Sequence, residues 1–433
     1  MAIKNQKELL GKLGITKLNE MQEEAKLAIH ASDEVMILSP TGTGKTLAFL
    51  LPIIAELDRN LQEVQALIVT PTRELSIQIE QVIRNMGAGI KTNAVYGGRF
   101  RSKDKMELKS PPAILVGTPG RVLDHLKSGT ISGKEIKTLV LDEFDKSLEI
   151  GFLEEMEQIL ELIAPQKKIL TSATNGVELP DFVEFKNPVT ISYLEEWSTN
   201  LTVKTIISPE KDKLDTLVKA LKHLGNVPGV IFLNYKASIQ RLSDHLTDAG
   251  ISHGCFFGGL EQRDRERALI KFRNGTHQLL LATDLAARGI DIPEIQFIIH
   301  YHLPMRAEEF THRNGRTARM HRSGSAFVLL WEDEERPDYL GDLEEEVLGA
   351  GETLKPADWA TLFVSGGRKD KISKGDIAGL FYREAQLPKD SVGIIELKAD
   401  CAFVGVKRTV VEKLIPIVDN IRLKKKKVRV KEV

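Results

Sequence analysis

The chain has 433 residues, too many for one ordinary hydrophobic core, so several domains are expected. Its 42% hydrophobic and 28% charged residues are those of a soluble globular protein. A formal net charge of −1 excludes a global cationic field, so any polyanion site must be a local patch. The opening Met1 to Gly14 shows no secretory apolar run, and the most apolar stretch, Leu47 to Leu57, is too short for a bilayer. Cys255 and Cys401 fit neither a disulfide framework nor a zinc site, so the expected location is cytoplasmic, away from membranes.

In chain order, short β-branched runs alternate with amphipathic helical stretches, the pattern of a parallel sheet covered on both faces. Strands are predicted at Val35–Leu38, Ala66–Val69, Ile114–Val116, Leu139–Leu141, Ile169–Thr171 and Val189–Ile191. A polar stretch from Glu195 to Asn200 interrupts the rhythm. It restarts with Thr202–Ile207, Gly229–Leu233, Ser252–Phe256, Gln278–Ala282, Phe297–His300 and Ser325–Leu330, predicting a second domain of similar fold. The acidic run Glu332 to Glu346 reads as a solvated helix or linker face. A small α+β unit follows, with strands at Thr361–Val364, Ser391–Glu396, Ala402–Val406 and Lys427–Val433, and helices at Lys374–Arg383 and Val410–Asn420. Residues 1–197, 198–345 and 346–433 are therefore expected as two α/β domains and a linker with a smaller third domain.

The strand Val35–Leu38 runs into Ser39-Pro40-Thr41-Gly42-Thr43-Gly44-Lys45-Thr46 and then a helix, the context of a phosphate-binding loop. Its glycines let backbone N–H groups turn toward phosphates, and the helix adds its positive end. Thr41, Gly42, Thr43 and Gly44 would cradle the nucleotide, Lys45 would reach the β- and γ-phosphates, and the Thr46 hydroxyl would help hold Mg²⁺. Ser39 stands where the general pattern has its first glycine. Asp142 and Glu143, at the end of strand Leu139–Leu141, supply the second half of such a site. Asp142 would orient Mg²⁺ through water, and Glu143 would accept the proton of the attacking water.

Asp142-Glu143-Phe144-Asp145 resembles the DEAD box of ATP-dependent RNA helicases, with Phe144 where that family usually has alanine. Around it stand Pro71-Thr72-Arg73-Glu74-Leu75, Gly97-Gly98, Thr118-Pro119-Gly120-Arg121, Ser172-Ala173-Thr174, Gln262 with Arg265, Thr283-Asp284, Arg288-Gly289-Ile290-Asp291 and His312-Arg313-Asn314-Gly315-Arg316-Thr317-Ala318-Arg319. The resemblance implies two RecA-like parallel-sheet domains, ATP and Mg²⁺ as cofactors, and RNA as partner. It implies that Arg316 and Arg319 face the γ-phosphate and that Asp291 contacts the ribose. Asp145, Ser172, Thr174 and His312 would couple ATP to RNA, and Gln22 would read adenine, although the upstream stacking aromatic of the family falls on Asn5. Pro71, Thr72, Arg73, Gly98, Thr118, Arg121, Arg265 and Thr283 would hold RNA phosphates through N–H, hydroxyl and guanidinium groups. None suits base edges, so this core should be blind to sequence.

Gly366-Gly367-Arg368-Lys369-Asp370-Lys371-Ile372 with Gly375-Asp376-Ile377 resembles the RNA-recognition domain of DbpA-like DEAD-box proteins. RNA binding there is expected through Arg368, Lys369, Lys371 and the basic tail, while Phe363 and Phe403 serve equally as stacking platforms or core. The resemblance implies a structured ribosomal RNA target in large-subunit assembly and a monomeric enzyme that separates short duplexes locally. Two alternatives stay open: a DNA helicase or another P-loop ATPase, and an ATP-gated RNA clamp or annealing chaperone with weak unwinding.

Overall fold

A computed structural model describes residues 6–174, 179–194, 201–284, 295–317 and 323–433, apart from the side chains of 149 and 150. The chain forms two compact units, one running to Thr199 and the other from Asn200 onward.

In the first unit β1 (Glu34–Leu38), β2 (Ala66–Val69), β3 (Thr92–Val95), β4 (Ile114–Gly117), β5 (Thr138–Leu141), β6 (Lys167–Ser172) and β7 (Val189–Ser192) form one sheet. Its order is β3-β4-β2-β5-β6-β1-β7 and every pairing is parallel. Among the described residues, eight helices flank it: α1 (Gln6–Lys12), α2 (Glu20–Ala31), α3 (Lys45–Glu56), α4 (Arg73–Met86), α5 (Arg101–Leu108), α6 (Pro119–Lys127), α7 (Phe144–Ile150) and α8 (Leu153–Leu162). Successive strand residues point to opposite faces. Thus Ala66 and Ile68 join one core with Ile29, Phe49 and Ile79, while Leu67 and Val69 join a second with Val122, Leu139 and Ile159. The apolar stretch from Leu47 is the buried helix α3. Strand β3 escaped the sequence because Thr-Asn-Ala-Val lacks an apolar run, and its place at the sheet edge makes no such demand.

In the second unit β8 (Leu201–Ser208), β9 (Gly229–Phe232), β10 (His253–Phe256), β11 (Leu279–Ala282), β12 (Phe297–His300) and β13 (Gly324–Trp331) form an all-parallel sheet ordered β10-β11-β9-β12-β13-β8. Helices α9 (Leu214–Leu224), α10 (Lys236–Asp248), α11 (Gln262–Arg273) and α12 (Ala307–Asn314) belong to it. A Cβ on Gly229 would lie 2.1 Å from the Phe297 ring, so only glycine permits that strand contact.

Of the two forms expected for the acidic run, a solvated helix or a linker face, the structure shows the linker. It holds only a single 3-10 turn, Asp338–Leu340, and then an extended strap along β8. Thr205 donates to the Glu344 carbonyl at 2.8 Å, and Glu346 pairs with Lys204 at 2.7 Å and His223 at 3.1 Å. Glu334 is matched by Lys213 at 2.9 Å, while Glu332, Asp333, Glu335, Glu344 and Glu345 face solvent.

The C-terminal sheet is antiparallel, ordered β15-β16-β14-β19, from β14 (Trp359–Val364), β15 (Val392–Leu397), β16 (Ala402–Lys407) and β19 (Val430–Glu432). It packs against α13 (Lys374–Gly379) and α14 (Val411–Val418) through Leu362, Val404, Ile377 and Leu414. The basic tail is not one long edge strand: β17 (Arg422–Leu423) and β18 (Lys426–Lys427) form a separate hairpin, with Lys424 at φ 58°. The opposite sheet face meets the second unit's sheet domain. Thr361 Oγ1 accepts from Asn274 Nδ2 at 3.1 Å and lies 2.7 Å from Thr276 Oγ1, while Arg273 pairs with Glu396 at 3.1 Å.

Candidate nucleotide and RNA site

Open parallel sheets place ligands at the carboxyl ends of their strands, and the phosphate-binding loop follows β1 there. Gly42 and Gly44 take φ of 87° and 89°, the left-handed region that favours glycine. Ser39 spans the loop, donating to Thr43 Oγ1 at 2.6 Å, so a hydroxyl bridge takes the place of the usual first glycine. Buried Lys45 folds its ammonium onto the carbonyls of Ser39 and Pro40. Thr41 and Thr46 are half-buried at the loop.

Gln22 sits against the loop. Its carbonyl accepts from Asn19 N–H at 3.1 Å within the cap of α2, and its amide donates to the Gly44 carbonyl at 3.2 Å. Asn19 adds a bond to the Thr43 carbonyl at 3.0 Å. A Cβ on Gly44 would lie 2.3 Å from the Gln22 amide nitrogen, so this contact depends on glycine too.

Asp142 ends β5 fully enclosed. Burial, with the neighbouring Glu143 charge, pushes its carboxyl up to about 6, although the Thr171 hydroxyl and Lys45 oppose the rise. Thr171 donates to Asp142 Oδ1 at 2.5 Å and accepts from Glu143 N–H at 3.1 Å. Glu143 takes φ 48°, starts α7, and keeps Oε2 buried without a hydrogen-bond partner. A buried carboxylate lacking a donor fits a site awaiting a proton or a cation. The oxygen-only donor set of Thr46, Asp142 and Glu143 suits a hard ion such as Mg²⁺. Phe144 points away from this chemistry into the core with Leu141 and Met156, fully buried. The unusual residue of the box is a packing residue.

Asp145 faces Thr174 Oγ1 at 3.4 Å and Lys146 at 3.6 Å, while Ser172 Oγ donates to the Thr174 carbonyl at 3.0 Å. This ties the strand end of β6 to α7. Pro71 is buried beside Thr72, which caps α4 by accepting from Leu75 N–H at 3.3 Å. The Arg73 guanidinium covers Gly97 and Gly98; a Cβ on Gly98 would lie 2.5 Å from its Nη1. Arg121 donates to the carbonyls of Tyr96 and Arg99 and lies 3.6 Å from Asp104, and Thr118 N–H reaches the Val95 carbonyl at 3.1 Å. Asp104 is wholly enclosed and also meets Arg99 at 3.2 Å and His125 at 3.3 Å. Sequence reading missed Asp104 and Thr171. Neither lies in a named motif, and their importance arises only when distant segments converge.

In the second unit Arg265 is buried against Gln262, and Thr283 N–H reaches the Phe256 carbonyl at 3.3 Å. Arg313 is the organising cation. It clasps Asp284 at 2.6 and 2.5 Å, donates to the His302 carbonyl at 2.6 Å and Asn234 at 2.8 Å, and stacks over Phe232. His312 and Arg316 are buried on the same segment. Asp291 and Arg319 lie outside the described residues.

In the C-terminal domain Arg368, Lys369 and Lys371 are exposed, with Arg368 anchored on the Leu397 carbonyl at 2.7 Å. Lys426 pairs with Asp370 at 2.8 Å, bringing the basic hairpin beside that loop. Phe363 and Phe403 contact edge-to-face at 5.7 Å, with Phe403 buried. Among the described residues no helix is long and apolar enough to cross a membrane.

Residues 19–182 match the DEAD/DEAH box helicase family, residues 212–321 the helicase conserved C-terminal domain, and residues 361–432 the DbpA RNA binding domain. The chain is 32% identical to the ATP-dependent RNA helicase DbpA of Bacillus subtilis, covering 96% of this chain and 95% of that protein. It is 31% identical to the DbpA of Escherichia coli, covering 98% and 96%. Saccharomyces cerevisiae Dbp5, solved bound to RNA and ADP BeF3, superposes with a TM-score of 0.66 at 27% identity, over 75% of this chain and 88% of that one. With both RecA-like sheets, the nucleotide loop and its acidic strand end in hand, the chain belongs to the DEAD-box ATP-dependent RNA helicases.

Proposed function

We propose that the enzyme hydrolyses ATP through Asp142 and Glu143 and directs the resulting RNA remodelling to structured ribosomal RNA in large-subunit assembly. The observation that carries the hydrolytic part is the buried acid pair beside Lys45 at the end of β5. Lys45 leaves its loop carbonyls for the β- and γ-phosphates. Thr46 and Asp142 would hold Mg²⁺, which would neutralise phosphate charge. Glu143, with a free buried oxygen, takes the proton of the attacking water. Arg316 and Arg319 neutralise charge developing on the γ-phosphate, and Asp291 holds the ribose. Gln22 senses the nucleotide through its bonds to Asn19 and Gly44.

RNA phosphates are held by Thr72, Arg73, Gly98, Thr118 and Arg121 on one unit, and by Arg265 and Thr283 on the other. Asp145, Ser172, Thr174 and His312 relay occupancy between the two ligands. Binding both ligands favours closure of the units around them and separates a short duplex locally. The ribosomal target rests on the resemblance of residues 361–432 to the DbpA RNA binding domain, with Arg368, Lys369 and Lys371 as its contacts and the cytoplasm as its setting.

Steady-state ATPase rates without RNA, with a large-subunit ribosomal RNA fragment, and with unstructured RNA test this reading. Strong stimulation by the ribosomal fragment alone, lost when Lys369 and Lys371 become glutamate, supports it. Equal stimulation by both RNAs removes the ribosomal target and leaves the helicase. ATP-gated RNA retention and annealing without strand separation would favour the clamp alternative.

A further inference from the structure

The strand β6 carries one buried polar side chain that the family's motifs do not use. Thr171 precedes Ser172, is fully buried, and stands beside Ile37 of β1 in the middle of the sheet. Any β-branched residue would satisfy the strand there. Its hydroxyl does more: it donates to Asp142 Oδ1 at 2.5 Å and accepts from Glu143 N–H at 3.1 Å. That N–H lies at the start of α7, where no helical carbonyl is available to receive it. Glu143 is also held at φ 48°, a conformation a glutamate adopts only when its surroundings enforce it.

We infer that Thr171 is a positioning residue for ATP hydrolysis, fixing the rotation of the Asp142 carboxylate and the backbone of Glu143 with a single hydroxyl. This rests on the reading that Asp142 and Glu143 serve hydrolysis. One hydroxyl bonded to both acids sets the carboxylate that faces the cation and the carboxylate that faces the water relative to each other. Removing it leaves a buried N–H and a buried carboxylate oxygen unpaired while changing almost no volume. Outer partners of metal-facing ligands typically contribute 10–100-fold to affinity or activity.

The test compares Thr171→Val, Thr171→Ser and wild type in the full-length protein. For Thr171→Val, kcat of RNA-stimulated ATP hydrolysis should fall about tenfold. The Mg²⁺ concentration that half-saturates binding of a fluorescent ATP analogue should rise about tenfold. The RNA concentration for half-maximal stimulation should stay within about twofold of wild type, and Thr171→Ser should recover both losses. A valine variant with wild-type kcat and Mg²⁺ dependence overturns the inference, as does a serine variant no better than valine. If valine yields no folded protein, Thr171→Ala against Thr171→Ser is read by the same criteria. Undiminished hydrolysis by Asp142→Asn would instead refute the underlying reading of the acid pair.

Discussion

The two parallel-sheet units bury opposite charges in their motifs, and on different elements. In the first unit the strand ends bury carboxylates: Asp142, Glu143 and Asp145. In the second, the buried motif groups on or just past α11 and α12 are the cations Arg265, Arg313 and Arg316, with His312, and burial holds His300 at the end of β12 well below its ordinary pKa. One fold thus encloses motif acids in one unit and motif cations in the other. A fold fixes where a site lies, and the side chains at strand ends decide what it does.

The largest effect should come from the acid half. Glu143→Gln should lower kcat for ATP by about 10²–10⁴ while RNA still binds in the presence of ATP. Substantial turnover by this variant would remove Glu143 as the base. In the cation half Arg313 is the structural counterpart, because its loss strands Asp284. Arg313→Met should destabilise the second unit by about 3–5 kcal/mol in denaturant unfolding and leave nucleotide affinity of the first unit intact. Phe144→Ala, a cavity in the first core, should cost about 3–5 kcal/mol in the first unit instead. If the two variants destabilised the same transition, the division between units would fail.

Acid should separate the halves more gently. Burial, with nearby cations, lowers His277 and His302 to about 4 and His300 to about 3, from an ordinary 6.5. The unfolded chain therefore takes up protons below about pH 6.5 that the folded second unit refuses, and stability falls as pH drops from there toward 4. Asp142 behaves oppositely. Raised from 3.8 to about 6, it binds its proton in the folded state first, so its contribution to stability grows as pH falls through 6. Thermal unfolding followed by Trp331 and Trp359, both in the second unit, should show a lower midpoint at pH 5.5 than at 7.5. An unchanged midpoint would contradict the buried neutral imidazoles. The smallest effect belongs to the domain contact: Asn274→Ala should cost about 1 kcal/mol in unfolding of the C-terminal sheet.

Much of this was legible in the sequence where chemistry is local. The loop from Ser39 to Thr46 and the pair Asp142-Glu143 sit at strand ends whose apolar runs are unmistakable, and all twelve predicted sheet strands of the two α/β domains are present, ten adjusted only at their ends and two, Ala66–Val69 and Phe297–His300, unchanged. Thr171 was invisible because a threonine in a strand looks like any β-branched residue. Asp104 was invisible because its meaning depends on Arg99 from the loop before α5 meeting Arg121 and His125 from α6. Phe144 could be counted as an oddity, but only its direction shows it to be core. The ion pairs of Glu346 were invisible because its partners, Lys204 and His223, lie more than a hundred residues earlier.

The bonds of Thr361 to Asn274 and Thr276, with the strap held by Glu346, bear on how the C-terminal sheet finds its RNA. A domain on a slack linker samples a volume, and its benefit follows chain statistics. A domain whose sheet face is bonded to its neighbour samples one orientation. Local concentration is then governed by the angle of that contact, and lengthening the connecting chain alone would gain reach only after those buried hydroxyl bonds had broken.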